Sequence, residues 1–222
     1  MDKELLDHIL SFVSEHKKNL FEKILPYRTN HLTVVLEDIY QPHNASAVLR
    51  SCDVFGIQTV HIIENNNQYE VNPKVALGAS KWLTLNKYNE LDNNTSDCLK
   101  KLKTQGYKIV ATSPLQNSTP INELNIEDKT ALIFGSELNG LSKTVFELAD
   151  ETTYISMFGF TESLNISVSA AICLKILRDK LNQSTINWQL TPDEMDEIKL
   201  DWAKKIVKNA DIIEKEYLKQ RN

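Results

Sequence analysis

The sequence predicts an α/β fold with a mainly parallel sheet. Two observations point to it. From His31 onward, strand-like and helix-like segments alternate. The first strand, Leu32-Thr33-Val34-Val35-Leu36, is almost continuously apolar, the pattern of a strand buried on both faces. In such sheets, ligands bind beyond the carboxyl ends of the strands.

Each element has its own signal. Asp2 to Leu25 carries apolar residues at helical spacing (Leu5, Leu6, Ile9, Val13, Leu20, Phe21, Ile24) and ends at Pro26, so one long helix is expected. Asn44 to Phe55 reads as a helix closed by Gly56. Ile57 to Ile63 reads as a strand, and Lys81 to Leu85 as a short one. Asn94 to Thr104 is a helix closed by Gly106, and Tyr107 to Ala111 a strand. Ala131 to Phe134 is another strand, Lys143 to Ala149 a short helix, and Thr152 to Ser156 a strand. After a loop holding Gly159 and Ser163 comes a helix with small residues early on: Ser167, Ser169, Ala170 and Ala171. A last helix starts at Thr191-Pro192-Asp193-Glu194, with Thr191 as N-cap and Pro192 at its first position. Its stripe of Met195, Ile198, Trp202, Ile206, Ile212, Ile213 and Tyr217 reads as a packing face.

Composition narrows the class. Hydrophobic residues are 41% and charged residues 25% of the 222, ordinary for a soluble globular chain. No apolar run approaches the roughly 20 residues of a membrane span. The acidic, amphipathic start MDKELLDHIL is unlike a signal peptide. Three scattered cysteines, Cys52, Cys98 and Cys173, form no CxxC or Cys/His cluster, so neither a metal site nor a disulfide framework is expected, and the cytoplasm is the natural location. The net charge of −5 argues against a strongly basic nucleic-acid binder. Val71–Lys108, however, holds seven lysines against three acids, enough for a small RNA footprint or a solvated helix face.

Three clusters lie at strand ends. The first is DIYQPHNASAVLR, Asp38 to Arg50; taken singly, Asn44 reads as an N-cap and Arg50 as a surface residue. The second is FGSELNGLS, Phe134 to Ser142, where Gly135 and Gly140 allow backbone close to a ligand and Glu137 follows Gly-Ser. It lacks both GxGxxG and GK[ST], so a classical dinucleotide or triphosphate site is not supported. The third is Tyr154 to Ala171, where Ser163 or Asn165 can cap the following helix. No Ser-His-Asp arrangement can be assembled, and His43 is the one histidine inside a cluster.

Together, these clusters resemble the SpoU/TrmH family of RNA ribose 2′-O-methyltransferases. The likeness rests on Asn44…Arg50, on Phe134–Ser142 and on SLNISVSAA, Ser163 to Ala171, in the family's order. It covers Leu32 to Leu181, and LTVVLEDIYQPHNASAVLRSCDVFGIQTVHII is most similar to the subgroup that methylates a D-loop guanosine of tRNA.

The resemblance implies a SPOUT-type parallel sheet with a C-terminal trefoil knot over roughly residues 107–182, in a methyltransferase domain at 31–185. Helical extensions would occupy 1–30 and 190–222. It implies S-adenosyl-L-methionine as cofactor, held by Thr112, Gly135, Ile155, Met157 and Leu164, and tRNA as partner, with guanosine 18 the expected target. Arg50, Asn44, Glu137, Ser163 and Asn165 would be catalytic. A homodimer is implied, with no metal and no membrane. Alternatives are 2′-O-methylation of rRNA or another tRNA position, a non-catalytic RNA-binding member of the fold, and a small-molecule binder on the same scaffold.

Overall fold

The computed structural model describes residues 2–69, 78–113 and 117–221. The chain divides into two compact units, Thr29–Trp188 and Met1–Arg28 with Gln189–Asn222.

The larger unit is built on seven parallel strands: β1 Leu32–Glu37, β2 Thr59–Ile63, β3 Thr84–Tyr88, β4 Lys108–Thr112, β5 Thr119–Pro120, β6 Thr130–Phe134 and β7 Glu151–Tyr154. They lie in the order β3-β2-β1-β6-β4-β7-β5. Strand side chains alternate between faces, and here both faces are apolar. Leu32, Val34 and Leu36 of β1 enter one core with Leu132 and Phe134 of β6. Val35 enters the other with Ala131 and Ile133. The continuous apolar run of β1 is the sequence image of this double burial.

Helices α3 Pro42–Val54 and α6 Ile166–Gln183 pack together against the first core. Helices α4 Asn94–Thr104 and α5 Lys143–Leu148 pack together against the second. Gly56 and Gly106, with φ of 75° and 81°, end α3 and α4 in the left-handed region that glycine adopts without strain. Because β1, β6, β4 and β7 are neighbours, the loops that follow them meet at one end of the sheet.

Several strands differ from expectation: β2 starts at Thr59 rather than Ile57, and β7 runs Glu151–Tyr154 rather than Thr152–Ser156. Residues Ala79–Lys81 form a 3-10 turn, and β3 starts at Thr84. Its TLNKY sequence is half-exposed, so its hydrophobic signal is weak. Strand β5 is two residues long and contains a proline, tolerated at a sheet edge. Residues 71–77 of the lysine-rich stretch lie outside the described residues.

In the smaller unit, the single expected N-terminal helix is two, α1 Lys3–Leu10 and α2 Glu15–Ile24. Ser14 is extended (φ −64°, ψ 147°), and the Ser11 hydroxyl donates to the His8 carbonyl, a local bond that competes with helix continuation. The C-terminal helix is also two, α7 Pro192–Ile206 and α8 Ala210–Arg221, broken where Asn209 takes φ 57°. Thr191 and Glu194 form the capping box that opens α7. Trp202 is the unit's buried centre, edge-on to Phe21 at 5.3 Å and under the Arg28 guanidinium at 5.4 Å. No helix of the described residues is long and apolar enough to cross a membrane.

Candidate active site

The loops after β1, β4, β6 and β7 enclose a cavity of about 550 Å³. That is the size of a small-molecule or cofactor site. Its lining brings together nine of the expected residues: Asn44, Thr112, Gly135, Glu137, Ile155, Met157, Ser163, Leu164 and Asn165.

Three of them are joined by side-chain hydrogen bonds. Asn44 is buried at the third position of α3, because the helix starts at Pro42 with Gln41 as its cap residue. Its side chain therefore does not cap. Asn44 Nδ2 donates to Glu137 Oε1 at 2.6 Å, and Asn44 Oδ1 accepts from Asn165 Nδ2 at 3.1 Å. The other carboxylate oxygen of Glu137 accepts from the Tyr40 amide at 3.2 Å. Asn165 is the N-cap of α6, accepting from the Ser167 amide at 2.8 Å. Capping and site-building thus use different atoms of the same residue: the oxygen caps and the nitrogen reaches Asn44.

Backbone geometry shapes the second loop. Ser136 and Gly140 exchange two backbone hydrogen bonds at 3.0 and 2.9 Å. A Cβ on Gly135 would stand 2.3 Å from the Gly140 carbonyl carbon and oxygen, so glycine is required for the loop to close. Thr112 Oγ1 donates to the Ile133 carbonyl at 2.7 Å, within the sheet.

The lining contains two carboxylates, Glu137 and Glu162, and no Lys or Arg among the described residues. A ligand of net positive charge suits that wall. Cys173 also lines the cavity, but burial pushes its thiol up to about 12, so it stays protonated and is not a nucleophile.

Arg50 stands apart. It is exposed on α3 and is not among the residues that line the cavity. His43 is likewise exposed and outside it. Conversely, Gln41, Leu141 and Glu162 line the site without having been singled out from the sequence. All three lie inside the clusters, one to three residues from a named position; proximity to the motifs was their available signal.

The family model for the SpoU rRNA Methylase family matches residues 31–175. The chain belongs to the SpoU methylase family. Its larger unit places residues from all three motifs, though not Arg50, around one cavity at the ends of adjacent strands. Among relatives, this SpoU chain is 42% identical over 217 residues to the tRNA (guanosine(18)-2′-O)-methyltransferase of Borreliella burgdorferi, covering 96% of this chain and 98% of that protein. Among solved structures it is similar to the TrmH/SpoU tRNA modifying enzyme of A. aeolicus, with a TM-score of 0.78, 27% identity, and coverage of 87% of this chain and 98% of that one. The SpoU methyltransferase AviRb of Streptomyces viridochromogenes, in complex with AdoMet, has a TM-score of 0.61 over 73% of this chain and 65% of its own. At 21% identity, that last likeness is one of fold.

Proposed function

We propose that this protein methylates the 2′-hydroxyl of guanosine 18 in tRNA, using S-adenosyl-L-methionine. The observation that carries the reading is the line Glu137–Asn44–Asn165, which fixes polar groups from three separate segments of the chain at one cavity. The end-to-end similarity to a relative named for that activity supports the same substrate.

The cavity fits the cofactor by size and by charge, since its two carboxylates suit a sulfonium. When bound, S-adenosylmethionine supplies a methyl group already activated for transfer. Backbone at Thr112, Gly135, Ile155, Met157 and Leu164 would hold it, with Ile155, Met157 and Leu164 giving apolar contact. Asn44, held from both sides, would position the ribose hydroxyl, and Ser163 would shape the mouth. Fixing the hydroxyl in line with the methyl group is where most of the acceleration would arise.

Arg50 completes the reading from outside. A guanidinium holds its proton too tightly to act as a base. Its role is better described as bidentate contact to the ribose and its phosphate, stabilising charge as the hydroxyl proton leaves. One chain's cavity lacks this cation, so a homodimer, in which a second copy presents its Arg50, would supply it. Apolar side chains near the cavity support an interface: Leu138 is 81% exposed, and Phe158 and Phe160 are essentially fully exposed.

By the same family reading, 31–185 is the methyltransferase domain, knotted over roughly 107–182, with helical extensions at 1–30 and 190–222. The protein works without a metal, in the cytoplasm, where tRNA is its partner. Methylation of rRNA is the second reading, favoured by the description of the family. Incubating tRNA and rRNA transcripts with labelled donor, then locating the label, distinguishes the two.

A further inference from the structure

Glu37 ends β1 and is buried to 2% exposure, yet no role in binding or chemistry falls to it. A buried carboxylate is costly unless donors surround it. Three do. The Ser142 amide donates to Oε2 at 2.8 Å, the Ser142 hydroxyl to Oε1 at 2.7 Å and the Thr95 hydroxyl to Oε1 at 2.6 Å. Ser142 is the N-cap of α5 and the last residue of the loop that carries Glu137.

The other end of that loop is held by the neighbouring residue of the same strand. Phe134, where β6 ends, is in register with Leu36. Consecutive residues of β1 therefore fix both ends of the segment between Phe134 and Ser142. Inside it, Gly135 and Gly140 are in contact too close to accommodate a Cβ, so there is little slack. Glu137 is exposed, and among the described residues its bonds to Asn44 and the Tyr40 amide aim it.

We infer that Glu37 is a positioning residue for methyl transfer: its carboxylate clamps Ser142 and so sets where Glu137 meets Asn44. The inference rests on the methyltransferase reading for its effect on rate, but not for the clamp itself. Thr95 extends the clamp sideways, because its hydroxyl also accepts from Asn65 Nδ2 at 2.9 Å.

The test uses wild type, Glu37→Gln, Glu137→Ala and the double variant, with two readouts. The first is amide hydrogen exchange of a peptide spanning 135–142. Gln has no charge and one accepting oxygen in place of two, so it cannot hold the amide and both hydroxyls as the carboxylate does, and exchange there should quicken at least tenfold, on the order of one charged hydrogen bond. The second is the single-turnover methylation rate. Glu37→Gln should slow it by about tenfold to a hundredfold, and it should add little once Glu137 is already alanine. A residue that acted on stability alone would multiply its loss with that of Glu137→Ala. Wild-type exchange in Glu37→Gln, or multiplying losses, overturns the inference. Faster exchange together with a wild-type enzyme that methylates no RNA leaves the clamp standing and removes the methyltransferase reading instead. If Glu37→Gln does not fold, Ser142→Ala deletes one donor and leaves the carboxylate its other two. Wild-type values for that variant in both readouts also overturn the inference.

Discussion

Asn44 donates to Glu137 at 2.6 Å across 93 residues of sequence. The bond ties the first helix after β1 to the loop after β6, and it exists because β1 and β6 are adjacent. Glu137 is exposed, so little of the fold depends on it. Glu137→Ala should melt within a few degrees of wild type. Its single-turnover rate should fall about tenfold to a hundredfold, the value of a hydrogen bond to a charged group. Scanning calorimetry and labelled-donor transfer check the two halves.

Asn165 separates capping from chemistry. Asn165→Asp keeps an oxygen for the Ser167 amide and adds a negative charge at the start of α6, so stability should hold. It replaces the Nδ2 donor with an acceptor facing Asn44 Oδ1. If Asn44 turned its amide to compensate, it would lose Glu137. Either way one contact is lost, and activity should fall about tenfold or more with an unchanged melting temperature. Asn165→Ala should lose activity and, in addition, about 1 kcal/mol of stability from the missing cap.

Gly135 and Gly140 should respond differently to alanine. At Gly135 the new methyl meets backbone at 2.3 Å, so the loop must move and affinity for S-adenosylmethionine should drop severely by calorimetric titration. At Gly140 there is open space but φ is +66°. There the cost should be a backbone strain of about 1 kcal/mol, with cofactor binding largely kept.

His61 gives a pH dependence. Burial holds its imidazole down, at about 4 rather than 6.5. Between those values the unfolded chain binds a proton that the folded one refuses, so stability is lost as pH falls from 6.5 towards 4. The contribution is on the order of 3 kcal/mol. Urea unfolding at pH 7 and at pH 4 should show a smaller loss for His61→Gln than for wild type. Equal losses would exclude His61 as the source.

Much of this was legible in the sequence. The apolar run of β1 announced double burial, and the three clusters fell at strand ends that the sheet order makes neighbours. Element boundaries were less so where tertiary context decides: β3 is half-exposed, and the serines at 11 and 14 end a helix that its apolar periodicity would continue. The distance of Arg50 from its own chain's cavity follows from helix geometry. Six residues of helix turn it by roughly 240° from Asn44, away from any cavity Asn44 faces. Glu37 carried no such signal: its donors, on Thr95 and Ser142, stand 58 and 105 residues away in sequence.

The most direct measurement is the position of the label when a tRNA transcript is methylated by wild type and by Asn44→Ala. The expected result is 2′-O-methylguanosine at position 18 with wild type and a rate lower by a hundredfold or so with Asn44→Ala, which loses both of its loop contacts. Label at another nucleotide, label in rRNA only, or undiminished transfer by Asn44→Ala would contradict it.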